Sequence, residues 1–200
     1  MNDTFLICAF PRSRTMWLSA FLTVPGYSIV THEACEFAGS AYEFWANAEL
    51  YACSSEVYGN SDSANVYVLP SLLAERPMTR VLWVARPIID VAVSMQNARM
   101  PHDEKSLRLL VDLREKHKEY FDLIVDFRDL ERADVCKTIW EFCLPGVPFD
   151  YGRWGQYNLK RIGYSAENPF PQKTFVKFLD WVKREMNEEA LWRCGGNENA

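Results

Sequence analysis

The chain has 200 residues, with 22 Lys and Arg against 27 Asp and Glu, and a net charge of −5. That balance argues against a non-specific nucleic-acid binder, so any anion site has to be local, made by a few arginines and backbone amides. Hydrophobic residues at 48%, with 7 Trp, 9 Tyr and 12 Phe, describe a globular chain rather than a disordered one.

This length suits one compact domain, 1–200, with 193–200 as a flexible tail. The six cysteines contain no C-x-x-C pair and the three His do not cluster with them, which argues against a zinc site. No apolar run reaches membrane-spanning length and no basic region precedes an apolar signal core. The expectation is a cytoplasmic protein with reduced thiols, no membrane span, no metal and no nucleic-acid partner.

Residues 5–10, Phe-Leu-Ile-Cys-Ala-Phe, form a continuous apolar run broken by Pro11, as in a buried parallel strand. A helix follows from Thr15 to Leu22, closed by Pro25-Gly26. Tyr27–Val30 is a second strand, 34–50 a helix, and Val57-Tyr58-Gly59 a third strand. Asp62 or Ser63 is placed to cap a further helix, which Pro70 would interrupt. Val81–Ala85 predicts a strand, Ile88–Ala98 a helix, Leu107–Tyr120 an amphipathic helix and Leu123–Val125 a buried strand. Helices over Val135–Leu144 and Thr174–Trp192 close the pattern. Apolar strands alternating with helices imply an α/β domain, a mainly parallel sheet flanked by helices. The segments 33–63 and 96–108 are the candidate lids.

Ligands of open α/β sheets sit beyond the carboxyl ends of the strands. Pro11-Arg12-Ser13-Arg14-Thr15-Met16-Trp17 lies there and opens a helix, whose N–H groups and dipole attract anions. Arg12 and Arg14 add charge, and Ser13 and Thr15 add hydroxyl donors. A phosphate- or sulfate-sized site is the result. The Gly-Lys-Ser/Thr of a common nucleotide P-loop is missing. Arg86 ends another strand, and Ser94 follows eight residues later on the next helix. The pair suits a second phosphate.

With these residues in place the sequence resembles the PAPS-dependent sulfotransferases (PAPS, 3′-phosphoadenosine 5′-phosphosulfate). Their first motif, P-[KR]-[ST]-G-[ST]-T-W-L, is similar to Pro11-Arg12-Ser13-Arg14-Thr15-Met16-Trp17-Leu18. Their second, strand-R-[DN]-P-x-x-x-x-x-S, is similar to the stretch from Arg86 to Ser94, and Asp126-Phe127-Arg128-Asp129-Leu130 resembles a later segment. Arg14 stands in place of Gly, which makes a positive φ less accessible. Met16 stands in place of Thr, and Pro87 directly follows Arg86.

The resemblance covers residues 5 to about 145 and implies a P-loop-like sulfotransferase architecture. It implies PAPS as donor, adenosine 3′,5′-bisphosphate as product, no metal, and a small-molecule hydroxyl acceptor. Arg12, Ser13, Arg14, Thr15, Met16 and Trp17 would hold the 5′ side, with Trp17 stacked on adenine. Arg86 and Ser94 would hold the 3′-phosphate in a separate subsite. Family members use a His or a Glu as general base. Glu33 is the first choice here and Asp62 the second, with His32 and Glu36 the other candidates, and Arg12 would contact the bridging oxygen and the leaving 5′-phosphate. The rival readings are a small P-loop-like kinase and a nucleotide-binding module without catalysis.

Overall fold

A computed structural model describes residues 3–160, 162–169, 171 and 176–195, with side chains described as far as residue 186. Five strands form one sheet: β1 (Asp3–Ala9), β2 (Ser28–His32), β3 (Val57–Asp62), β4 (Arg80–Ala85) and β5 (Leu123–Asp126). Their order is β2-β3-β1-β4-β5, and every neighbouring pair is parallel. Eight helices connect and follow them among the described residues: α1 (Thr15–Leu22), α2 (Ala41–Tyr51), α3 (Asn65–Glu75), α4 (Ile88–Asn97), α5 (Glu104–Lys116), α6 (Ala133–Cys143), α7 (Tyr151–Asn158) and α8 (Val176–Gly195).

The two-residue period of a strand explains the layering. Along β1, Phe5, Ile7 and Ala9 pack with α1 and α6, through Leu18, Phe21, Ile139 and Trp140. Leu6 and Cys8, with Phe10 just beyond the strand, pack on the opposite face with residues of α2, α3, α5 and α8. Both faces of the sheet are covered, which is why residues 5–10 and 81–85 read as unbroken apolar runs.

Gly59 is required by this layering. It lies opposite Phe5 in the β1–β3 register. A Cβ at Gly59 would sit 2.7 Å or less from three carbons of the Phe5 ring. Phe5 is fully buried and has nowhere to move. Gly59→Ala is expected to destabilise by about 1–3 kcal/mol or more. Chemical denaturation checks this, and Phe5→Leu in the same chain should recover part of the loss.

Most of the expected elements are found within two or three residues of their predicted ends. The helix expected over 34–50 is two pieces, a 3-10 turn at Ala34–Phe37 and then α2. The break has a local cause: Ser40 caps α2 by accepting from the Glu43 amide at 3.1 Å, and the Glu43 carboxylate accepts from the Gly39 amide at 2.8 Å. The segment 33–63 is therefore no lid. It contains β3, with Phe44 and Trp45 of α2 in the core. Pro70 does not end α3, which instead bends at Val68, φ −129°. The helix expected over 174–192 is α8. Positions 174 and 175, and most of the expected tail at 193–200, lie outside the described residues.

Helix α7 has no counterpart in the sequence pattern, because Gly152 and Gly155 weaken its propensity. Tertiary bonds supply what propensity lacks. Arg153 donates to the carbonyls of Ala20, Phe21 and Thr23 at 2.6–2.7 Å, satisfying the open C-terminal end of α1.

His117 closes α5 and is buried. Burial, reinforced by the adjacent Lys116 and partly offset by a backbone contact at Val66, pushes its imidazole down to about 4. The unfolded chain binds this proton near pH 6.5, so the stability from a neutral His117 is complete above that pH. It is lost as pH falls from 6.5 toward 4, and amounts to at most about 3 kcal/mol. Denaturation midpoints between pH 7 and 4.5 should fall more steeply for the wild type than for His117→Gln. Parallel profiles would reject this account.

The described cysteines Cys8, Cys35, Cys53, Cys136 and Cys143 are unpaired thiols. Among the described residues no helix is long and apolar enough to cross a membrane.

Candidate active site

Because all five strands run the same way, their carboxyl ends open on one rim. A cavity of about 440 Å³ lies there, within the range of pockets that hold small ligands, ~300–1,000 Å³. Every strand end contributes. Pro11, Arg12, Arg14, Thr15 and Met16 follow β1, and His32, Glu33 and Glu36 end or follow β2. Asp62 and Ser63 come from the end of β3, Arg86 follows β4, and Phe127 follows β5.

The loop after β1 makes the basic half. Arg12 and Arg14 both adopt left-handed backbone, φ 68° and 62°. The conformation that glycine would supply at position 14 is thus taken by an arginine, correcting the sequence expectation. The strain falls where such strain tends to concentrate, at a site. Arg14 precedes α1 without a side-chain cap, and no acidic residue lies in the first turn of α1. The first N–H groups of α1 thus lack both of their usual side-chain partners.

The charges around this loop are arranged unequally. Arg14 pairs with Glu131 at 2.8 Å. Arg12 donates instead to two neutral groups, the Ser94 hydroxyl at 3.2 Å and the Tyr164 carbonyl. Arg86 donates to the Arg12 carbonyl, lies 4.1 Å from the Phe127 ring centroid, and keeps its Nε without a partner among the described residues. Burial pushes both guanidiniums below their usual range. Arg12 and Arg14 add to this at Arg86, while Asp90 opposes it. Guanidiniums stay charged even so, and an anion placed among them would relieve this cost.

The acid half comes from the ends of β2 and β3. His32 Nε2 is 3.1 Å from Thr15 Oγ1, and His32 Nδ1 is 3.7 Å from Glu33 Oε1. Thr15, His32 and Glu33 thus form a connected chain in the cavity lining. Asp62 is nearly fully buried and its Oδ1 accepts from the Ala64 amide at 2.8 Å. This bond closes a turn ahead of α3, whose N-cap is Ala64 with no side-chain cap, so neither Asp62 nor Ser63 caps that helix as the sequence suggested.

The cavity therefore gathers Arg12, Arg14, Thr15, Met16, His32, Glu33, Glu36, Asp62, Arg86 and Ser94 of the sequence-derived candidates. Arg86 and Ser94 line the same cavity as the first loop, and Ser94 accepts from Arg12. Two expectations change. Ser13 is fully buried beneath the loop, its Oγ without a partner among the described residues. Trp17 is 2% exposed, stacks on Phe21 at 4.9 Å between ring centroids and donates to the Tyr157 carbonyl. It is core as placed, with no ring face open to an adenine.

Residues not foreseen also line the cavity: Tyr67 from α3, Met100 after α4, the stretch Ile162-Gly163-Tyr164 after α7, and Phe178 from α8. Met100 does come from 96–108, one of the expected lids. Asp126, by contrast, has both carboxylate oxygens on Arg128, which holds it down at about 2. It lies outside this cavity.

A parallel sheet in the order β2-β3-β1-β4-β5, with helices on both faces, is consistent with the α/β sulfotransferase-like fold. The chain superimposes on mouse sulfotransferase SULT7A1 complexed with PAP, with a TM-score of 0.52 and 16% identity. The match covers 99% of this chain and 84% of that one. At this identity the likeness establishes the fold. No family profile and no curated protein sequence matches the chain.

Proposed function

We propose that this protein transfers a sulfuryl group from PAPS to a hydroxyl of a small-molecule acceptor, releasing adenosine 3′,5′-bisphosphate. The observation that carries the reading is the pairing of two half-buried arginines, Arg12 and Arg86, whose hydrogen-bond acceptors are neutral, with an uncapped helix start on the same loop. Such a set favours a multiply charged anion. The SULT7A1 structure holds PAP, which agrees with this choice of nucleotide.

When bound, the donor supplies an activated sulfuryl group; positioning and charge stabilisation fall to the protein. Arg12, Arg14 and the first amides of α1 would take the 5′ side, with Arg86 and Ser94 on the 3′-phosphate. The acceptor's proton passes to the His32–Glu33 pair, which lines the same cavity as the arginines. Asp62 is a weaker candidate, because Oδ1 already holds the Ala64 amide.

A magnesium-dependent phosphoryl transfer is the second reading. One observation favours it: Asp62 ends β3 beside β1 and shares the cavity with Thr15, and P-loop enzymes hold magnesium with such a hydroxyl and acid. Incubation with sulfur-labelled PAPS and a panel of phenols, alcohols and sugars separates the two. Label should move to an acceptor at a rate unchanged by a chelator. Transfer from ATP, abolished by chelation and restored by magnesium, would overturn the proposal. Tight bisphosphate binding with no transfer to any acceptor would favour a binding module.

A further inference from the structure

Thr15 belongs to two systems at once. It opens α1 in the anion loop, and its hydroxyl lies 3.1 Å from His32 Nε2. His32 in turn has Nδ1 3.7 Å from Glu33 Oε1. Both residues line the cavity, with side chains only 19% and 14% exposed. With a carboxylate on the Nδ1 side, the tautomer that carries hydrogen there is favoured. Nε2 is then a lone pair, and the Thr15 O–H is its donor.

We infer that Thr15 is a positioning residue that couples donor binding to the readiness of the His32 base. With no anion in the loop, the Thr15 hydroxyl covers Nε2 and the imidazole is held neutral. When an anion fills the loop, the hydroxyl turns to it, since a hydrogen bond to a charged acceptor is the stronger one. Nε2 is uncovered, and Glu33 stabilises the imidazolium that forms. In the transfer step the acceptor's O–H bond breaks and its proton goes to Nε2. The electron pair left on oxygen makes the new O–S bond, and the pair of the broken S–O bond leaves with the nucleotide's 5′-phosphate. The base thus becomes competent only when the donor is present. This rests on the sulfuryl-transfer reading and adds an order to it.

Other charges share the space and enter the expectation. Glu33, Glu36 on the 3-10 turn and Asp62 from β3 favour the imidazolium. Arg12 and Arg14 on the loop and Arg86 beyond it oppose it until an anion neutralises them, and the Tyr67 phenol stays neutral, pushed up to about 12 by burial. A bound bisphosphate therefore raises the His32 pKa with or without Thr15, so the deciding comparison is made without nucleotide.

The test is an NMR titration of the imidazole resonances, with His32 assigned from His32→Gln. In the nucleotide-free protein, Thr15→Val should raise the His32 pKa by about half a unit to one unit, because a bond to the neutral form is lost. Thr15→Ser should restore the wild-type value. Adenosine 3′,5′-bisphosphate should raise the His32 pKa more in the wild type than in Thr15→Val. An unchanged nucleotide-free pKa in Thr15→Val, or an equal nucleotide-induced rise in both proteins, would overturn the coupling and leave the sulfuryl-transfer reading standing. If Thr15→Val fails to fold, Thr15→Ala serves with the same expectations. A wild type that binds no bisphosphate removes the sulfuryl-transfer reading, and the coupling with it.

Discussion

Glu33→Gln is expected to lower turnover about 10²- to 10⁴-fold, the usual cost of losing a group that takes a proton in the transition state or orients the one that does. The substitution keeps size and shape but puts a neutral amide beside His32 Nδ1, where an imidazolium would go unsupported. Bisphosphate binding should be nearly unchanged, because the proposed anion contacts come from Arg12, Arg14, Arg86 and Ser94 and not from Glu33. The check is turnover and calorimetric affinity measured on the same preparation. Asp62→Asn serves as the control. It keeps an oxygen for the Ala64 amide and should retain most of the activity. Survival of turnover in Glu33→Gln with collapse in Asp62→Asn would move the base to β3 without changing the class of reaction.

Arg86→Ala is expected to weaken adenosine 3′,5′-bisphosphate about ten- to a hundredfold, through loss of a charge-assisted contact worth about 1.5–3 kcal/mol. Adenosine 5′-phosphate should weaken less, although not negligibly. Arg86 donates to the Arg12 carbonyl and so braces the left-handed turn that aims the first loop. Removing it loosens the 5′ side as well. Calorimetry on both nucleotides checks the difference. Equal losses would show that bracing accounts for the whole effect and that the 3′-phosphate sits elsewhere.

Those two variants show how far the sequence reaches. The apolar run of β1, the breaker Pro11 and the arginines after it were legible because strand, loop and helix are contiguous. So were Arg86 and Ser94, eight residues apart. That Ser94 would meet Arg12, 82 residues away, depends on β1 and β4 being neighbours, and local pattern does not encode strand order. Tyr164 and Phe178 come from segments without a motif and reach the cavity through tertiary packing. Trp17 carried a usable signal that the motif obscured. Trp17, Leu18, Phe21 and Leu22 make an i, i+1, i+4, i+5 stripe, which marks the face of α1 that turns to the sheet. Arg14 shows the reverse case, where the identity of the residue argued against the backbone it adopts, and the Arg86–Arg12 contact and the Glu131 pair help hold the loop.

The place of β1 in the sheet also bears on how the protein is made. Its two neighbours, Val57–Asp62 and Arg80–Ala85, lie far along the chain. During synthesis, at about 5–20 residues per second, β1 waits several seconds before its second edge can be covered. In that interval one side of an apolar strand offers unpaired backbone to any passing chain. A contiguous fragment ending before residue 80 would carry the whole first loop and keep that edge open. The arginine-bearing loop is thus encoded early but assembled late, and partial chains are expected to be clients of chaperones rather than miniature binding proteins.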